Sequence, residues 1–172
     1  MLWYTAFIAL VALERLAELL VARRNAAWTF ARGGVEYGRS HYPWMVALHT
    51  GLLLGCLFEP LLFERPFAPV LGWSMLALVV AAQALRWWCI GTLGPYWNTR
   101  VIVVPGSDLV RRGPYKLLAH PNYVAVAVEG AALPLVHSAW LTAVLFTAGN
   151  AAMMAARVPT ENAALQRTAP AA

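Results

Sequence analysis

Residues 43–63 read PWMVALHTGLLLGCLFEPLLF, residues 64–66 read ERP, and residues 67–90 read FAPVLGWSMLALVVAAQALRWWCI. Each apolar run has about the 20 residues a helix needs to cross roughly 30 Å of hydrocarbon. A connector of three residues forces an immediate reversal, so the two runs predict an antiparallel helical hairpin. Outward from this hairpin, residues 2–21, 117–136 and 138–156 are also apolar at spanning length, and the turn from Pro134 to Ser138 closes a second hairpin. Glu14, Arg15 and Glu18 interrupt the first run and no small-residue cleavage site follows it, which favours a retained helix over a signal peptide.

The expected fold is therefore all-α and integral to the membrane, with about five transmembrane helices in one domain over residues 1–172. Residues 1–90 supply three helices; residues 91–172 supply a loop, a hairpin and a tail. Composition agrees: the chain is 60% hydrophobic and 12% charged, with a mean hydropathy of +0.59, too apolar for an ordinary soluble domain.

Basic residues set the expected orientation. Arg23, Arg24, Arg32 and Arg39 lie between the first two spans, Arg100, Arg111, Arg112 and Lys116 between the third and fourth, and Arg167 in the tail; Arg65 falls on the opposite side. The positive-inside rule then puts the amino terminus outside and the carboxyl terminus in the cytoplasm. The net charge of +5 belongs to that face. Nucleic acid is not an expected partner, because the basic residues flank membrane helices and do not cluster on a soluble surface. Cys56 and Cys89 lie in apolar runs without metal-ligand spacing and read as buried, inert thiols.

Two long loops face the cytoplasm in this reading, 23–42 and 91–116, and loops of such length carry function. The second contains Val101-Ile102-Val103-Val104 before Pro105-Gly106, the pattern of a short strand ending in a turn. Polar residues then gather beside the last two spans: Gly113-Pro114-Tyr115, His120-Pro121-Asn122-Tyr123, Glu129, Arg157 and Glu161-Asn162. Ionisable groups at membrane depth are costly and mark functional sites. Pro121 suits the first turn of a helix, so His120 precedes a helix end where free N–H groups favour an electron-rich ligand. Glu129, seven residues beyond Asn122, shares its helix face; as a structural residue it would instead pair with Arg86 or Gln83. Arg157 and Glu161 share a face if the helix continues past Pro159.

These residues resemble the isoprenylcysteine carboxyl methyltransferases, small membrane enzymes that use S-adenosylmethionine. The family pattern is Gly-Pro-Tyr, then Arg-His-Pro-x-Tyr, then Arg-x-x-x-Glu-x-x-Leu; here it is met by Gly113-Pro114-Tyr115, by His120-Pro121-Asn122-Tyr123, and by Arg157, Glu161 and Leu165. Ala119 departs from the arginine that usually precedes His-Pro, which leaves Arg111, Arg112 or Lys116 to supply its contact. Glu36-Tyr37-Gly38, His41-Tyr42-Pro43, His49, Arg86-Trp87 and Leu93-Gly94-Pro95-Tyr96-Trp97-Asn98 are similar to a bacterial branch that methylates hydroxyls of alkylpyrones or phenolic lipids.

The resemblance implies a cytoplasmic cofactor site built by the carboxyl-terminal half. Its cofactor-binding residues would be Tyr115, His120, Pro121, Asn122, Tyr123, Glu161 and Asn162, its catalytic residues Arg157, Glu129 and His41, and no metal is expected. Arg157 would hold the cofactor carboxylate. A hydroxyl acceptor needs a base, for which His41, His49 and His120 are candidates. No Gly-x-Gly-x-x-Gly follows a strand, so a soluble dinucleotide fold is not indicated. A lipophilic or prenylated acceptor would enter from the bilayer through a tunnel lined by Trp87, Trp88, Trp97 and Glu129. Two other classes fit the same composition: a membrane NADPH-dependent reductase of sterol type, and a non-catalytic module or transporter whose Glu14, Arg15, Glu18, Arg86 and Glu129 form a buried ion network.

Overall fold

The computed structural model describes residues 2–168. Five α-helices dominate: α1 (Leu2–Phe30), α2 (His41–Leu62), α3 (Pro69–Leu93), α4 (Pro121–Leu135) and α5 (Trp140–Thr168). Among the described residues, three helices are long and apolar enough to cross a membrane, the spans His41–Leu62, Pro69–Tyr96 and Trp140–Arg167. The other two fall short for physical reasons. The centre of α1 carries Glu14, Arg15 and Glu18, and α4 has 15 residues, or about 22 Å at 1.5 Å per residue.

The fold is not purely helical. Two three-residue strands, β1 (Val35–Tyr37) and β2 (Val101–Val103), pair antiparallel with Val35 opposite Val103 and Tyr37 opposite Val101. The strand pattern at residues 101–104 thus finds its partner in the first loop, so both loops lie at one end of the helices. That first loop is shorter than the sequence suggests, because α1 runs on to Phe30 and α2 begins at His41. The extension of α1 is held by tertiary bonds: Asn25 Nδ2 donates to the carbonyls of Gly94 at 3.1 Å and Trp97 at 2.8 Å. Pro159 lies inside α5, which continues through it.

Helix α4 is the hub, packed on α3 and α5, while α2 packs on α5. The apolar core joins Tyr4, Ile8 and Val11 of α1 to Leu52, Cys56, Val79, Leu133, Val136 and Phe146. Glu59 of α2 ties that helix to the start of α5: its carboxylate accepts the Leu141 N–H at 3.0 Å and the Thr142 N–H and hydroxyl, each at 2.7 Å. A carboxylate there satisfies free N–H groups and complements the helix dipole.

Gly130 permits the close α4–α5 approach, since an added Cβ would lie 1.8 Å from Cε1 of the buried Phe146 ring. Gly130→Ala is expected to destabilise by about 1–3 kcal/mol, the range for overpacking a filled core. Thermal unfolding in detergent measures this, and Phe146→Leu in the same chain should return part of the loss.

Candidate functional site

A cavity of about 550 Å³ opens at the end of the helices that carries the two strands. Its walls come from the 93–111 segment, the start of α4 and the end of α5, with Tyr96, Trp97, Arg100, Tyr115, His120 and Glu161 among the lining residues. Pro121 opens α4 at its first turn, so the His120 carbonyl accepts from the N–H groups of Tyr123 at 3.1 Å and Val124 at 3.3 Å. Local geometry therefore fixes His120, Asn122 and Tyr123 around one helix start.

Tyr115 arrives by a tighter turn. Gly113 adopts a φ of +55°, and a Cβ there would meet Thr92 Oγ1 at 2.6 Å, so glycine lets residues 113–116 pack against α3. Burial raises the Tyr115 phenol above its ordinary value, as does the Cys89 thiol beside it. The phenol thus remains a neutral wall of the cavity.

Arg157 and Glu161 are one helical turn apart, yet they meet through a third residue. The Tyr123 hydroxyl donates to Glu161 Oε2 and accepts from Arg157 Nε at 3.0 Å. Arg157 also donates to the Thr99 carbonyl at 2.5 Å and to Met45 Sδ at 2.9 Å, and is only 5% exposed. It binds together α2, the 93–111 segment, α4 and α5. His120 stacks on the Tyr123 ring with centroids 5.3 Å apart; its Nε2 lies 2.9 Å from Asn162 Oδ1 and its Nδ1 3.9 Å from Glu161 Oε1. Two polar atoms of wall residues, Asn122 Oδ1 and Trp97 Nε1, have no hydrogen-bond partner among the described residues and are closed off from the cavity space.

The structure draws Tyr115, His120, Asn122, Tyr123, Arg157, Glu161 and Asn162 around this cavity. Pro121 shapes the start of α4 without lining it. His41 is outside the lining: it begins α2, where an added Cβ on Gly38 would contact both its ring and Thr160. His49 and Glu129 are elsewhere too, on a separate void of about 20 Å³, room for roughly one water. Of the expected tunnel, Trp97 lines the large cavity, whereas Trp87 and Trp88 are exposed on α3.

Glu129 is held in an ion network joining α1, α3 and α4. Its carboxylate accepts from Arg15 at 2.7 and 2.9 Å and from Arg86 at 2.6 Å. Arg15 reaches Glu18 at 2.5 Å and Gln83 at 2.8 Å, and Glu14 accepts from Trp87 Nε1 at 2.8 Å and from Gln83. These contacts are those of the structural alternative for Glu129, and Glu14, Arg15, Glu18 and Arg86 gather around it as the buried ion network read from the sequence has them. Sequence reading passes over Arg100, Thr99 and Met45; Arg100 was legible only as one more basic loop residue.

A profile of the isoprenylcysteine carboxyl methyltransferase (ICMT) family matches residues 75–167, which contain α4, α5 and most of the cavity wall. The chain is 39% identical over 160 residues to the uncharacterized protein YpbQ of Bacillus subtilis (strain 168), covering 92% of this chain and 94% of that protein. An uncharacterized protein of Haemophilus influenzae is 22% identical over 171 residues, 99% of each chain. No solved structure matches significantly. By the family match and by similarity across nearly its full length, the chain belongs to the isoprenylcysteine carboxyl methyltransferase family.

Proposed function

We propose that the protein is an S-adenosylmethionine-dependent methyltransferase of the membrane, acting on the carboxylate or hydroxyl of a lipophilic acceptor. The observation that carries this reading is the 550 Å³ cavity within the family-matched region, inside the usual range of roughly 300–1,000 Å³ for small-molecule sites. Its lining suits the cofactor. Tyr115 and Tyr96 offer aromatic faces, and both signs of charge are present for an amino-acid group.

When bound, S-adenosylmethionine supplies an electrophilic methyl group on a sulfonium. The protein's part is to fix the acceptor oxygen and exclude water, the main levers for a displacement that needs little covalent help. Arg157, Tyr123 and Glu161 form the rigid floor for this, linked by hydrogen bonds across three elements. A carboxylate acceptor needs no base. For a hydroxyl acceptor we assign that role to His120, because of His41, His49 and His120 it is the one that lines the cavity. Arg32, Arg39, Arg100, Arg111 and Arg112 lie in the loops at the cavity end, which supports placing this end in the cytoplasm.

The test is methyl transfer. Membranes containing the protein and S-adenosylmethionine labelled on the methyl group are supplied with a prenylcysteine analogue or with an alkylpyrone or phenolic lipid. Protein-dependent label in one acceptor is the expected result and names the acceptor class; cofactor binding without label in any lipophilic acceptor would contradict the acceptor assignment.

A further inference from the structure

Arg157, the residue the family resemblance offers for a cofactor carboxylate, already has fixed partners on three sides: the Tyr123 hydroxyl, the Thr99 carbonyl and the Met45 sulfur. Arg100, the residue after Thr99, lines the same cavity in a different state. Its side chain is 36% exposed and its guanidinium lies 3.6 Å from Glu36 Oε2, longer than the roughly 2.7–2.9 Å of a charge-assisted hydrogen bond. The guanidinium carbon sits 5.0 Å from the Tyr42 ring centroid. These contacts aim the guanidinium while leaving donors available.

The aim is set by non-local structure. Glu36 lies in β1 opposite Ile102 of β2, so strand pairing fixes the carboxylate beside the chain that carries Arg100. The hydrophobic contacts of Val101, Val103, Ala164, Tyr37 and Leu165 seat this sheet on α5. Competing cations are less suited: Arg111 lines the cavity but is exposed, and Arg112 turns away to the Thr92 carbonyl at 3.4 Å.

We propose that Arg100 is the anion-binding residue of the cavity and takes the carboxylate of an amino-acid group on the cofactor, with Glu36 and Tyr42 as its positioning residues. This rests on the cofactor reading above. It gives Glu36 and Tyr42, outside the family-matched residues, an indirect part in the cofactor site, through Arg100.

The test uses the full chain in detergent and two probes: S-adenosylhomocysteine, and 5′-methylthioadenosine, which keeps the nucleoside and lacks the amino-acid group. Arg100→Ala is expected to weaken S-adenosylhomocysteine about 10- to 100-fold while leaving 5′-methylthioadenosine within about twofold. Arg100→Lys should fall between. Glu36→Gln should weaken S-adenosylhomocysteine a few-fold alone and add nothing to Arg100→Ala, a coupling that general destabilisation does not produce. Unchanged S-adenosylhomocysteine affinity in Arg100→Ala overturns the assignment, as does equal weakening of both probes. Wild-type protein that binds neither probe overturns the cofactor reading and this assignment together.

Discussion

Arg86→Met should be the most destabilising single change in the buried ion network, and Glu129→Gln distinctly milder. The reason is charge count. Glu14, Glu18 and Glu129 face Arg15 and Arg86, three carboxylates to two guanidiniums, all of them within α1, α3 and α4. Removing Arg86 leaves the three carboxylates to Arg15 alone. Removing the Glu129 charge leaves two of each sign, and Arg86 keeps Glu18 at 3.6 Å. Breaking a buried pair from one side costs about 3–5 kcal/mol, which is the loss expected for Arg86→Met in thermal unfolding in detergent. The double variant Arg86→Met with Glu129→Gln should recover about 1 kcal/mol or more relative to additivity. Strict additivity would show that the network is not a coupled unit.

Arg157→Ala should reduce affinity for S-adenosylhomocysteine more than a hundredfold while the protein still elutes as a folded species. Arg157 joins Tyr123, Thr99 and Met45, so its loss removes one tie between the 93–111 segment and α2, α4 and α5 and leaves the Thr99 carbonyl without that donor. A loss of about 3–5 kcal/mol for a buried, hydrogen-bonded charge corresponds to roughly 10²–10⁴ in binding. Arg157→Lys should rescue little, because one ammonium group cannot reproduce three diverging N–H directions. Titration with near-normal affinity in Arg157→Ala would show that this junction does not shape the cavity.

Much of this was legible in the primary structure, for identifiable reasons. The run from Pro43 to Ile90 has spanning length and a three-residue connector, and α2 and α3 follow directly. Spacing also groups His120, Asn122 and Tyr123 on one helix start and Arg157 with Glu161 one turn apart. What local pattern cannot carry is contact between distant segments. The continuation of α1 to Phe30 depends on Asn25 reaching Gly94 and Trp97. The strand pattern at residues 101–104 was visible, but its pairing with β1 joins residues more than sixty positions apart, and three residues at 35–37 do not announce the partner. The Tyr123 hydroxyl between Arg157 and Glu161 required knowing how α4 crosses α5. Glu129 has the right periodicity to share a face with Asn122, but two guanidiniums from α1 and α3 decide where its carboxylate goes. Arg100 was read for topology because a basic loop residue carries that signal first.

The central claim is that the cavity around Tyr123 and Glu161 binds an S-adenosylmethionine-type cofactor. Calorimetric titration of folded, detergent-solubilised protein with S-adenosylhomocysteine, wild type beside Glu161→Ala, tests it most directly. The account predicts saturable one-to-one binding by wild type and at least tenfold weaker binding by Glu161→Ala, since that carboxylate holds the Tyr123 hydroxyl and faces His120. Folded wild-type protein that does not bind, or a Glu161→Ala variant that binds as tightly, would contradict it.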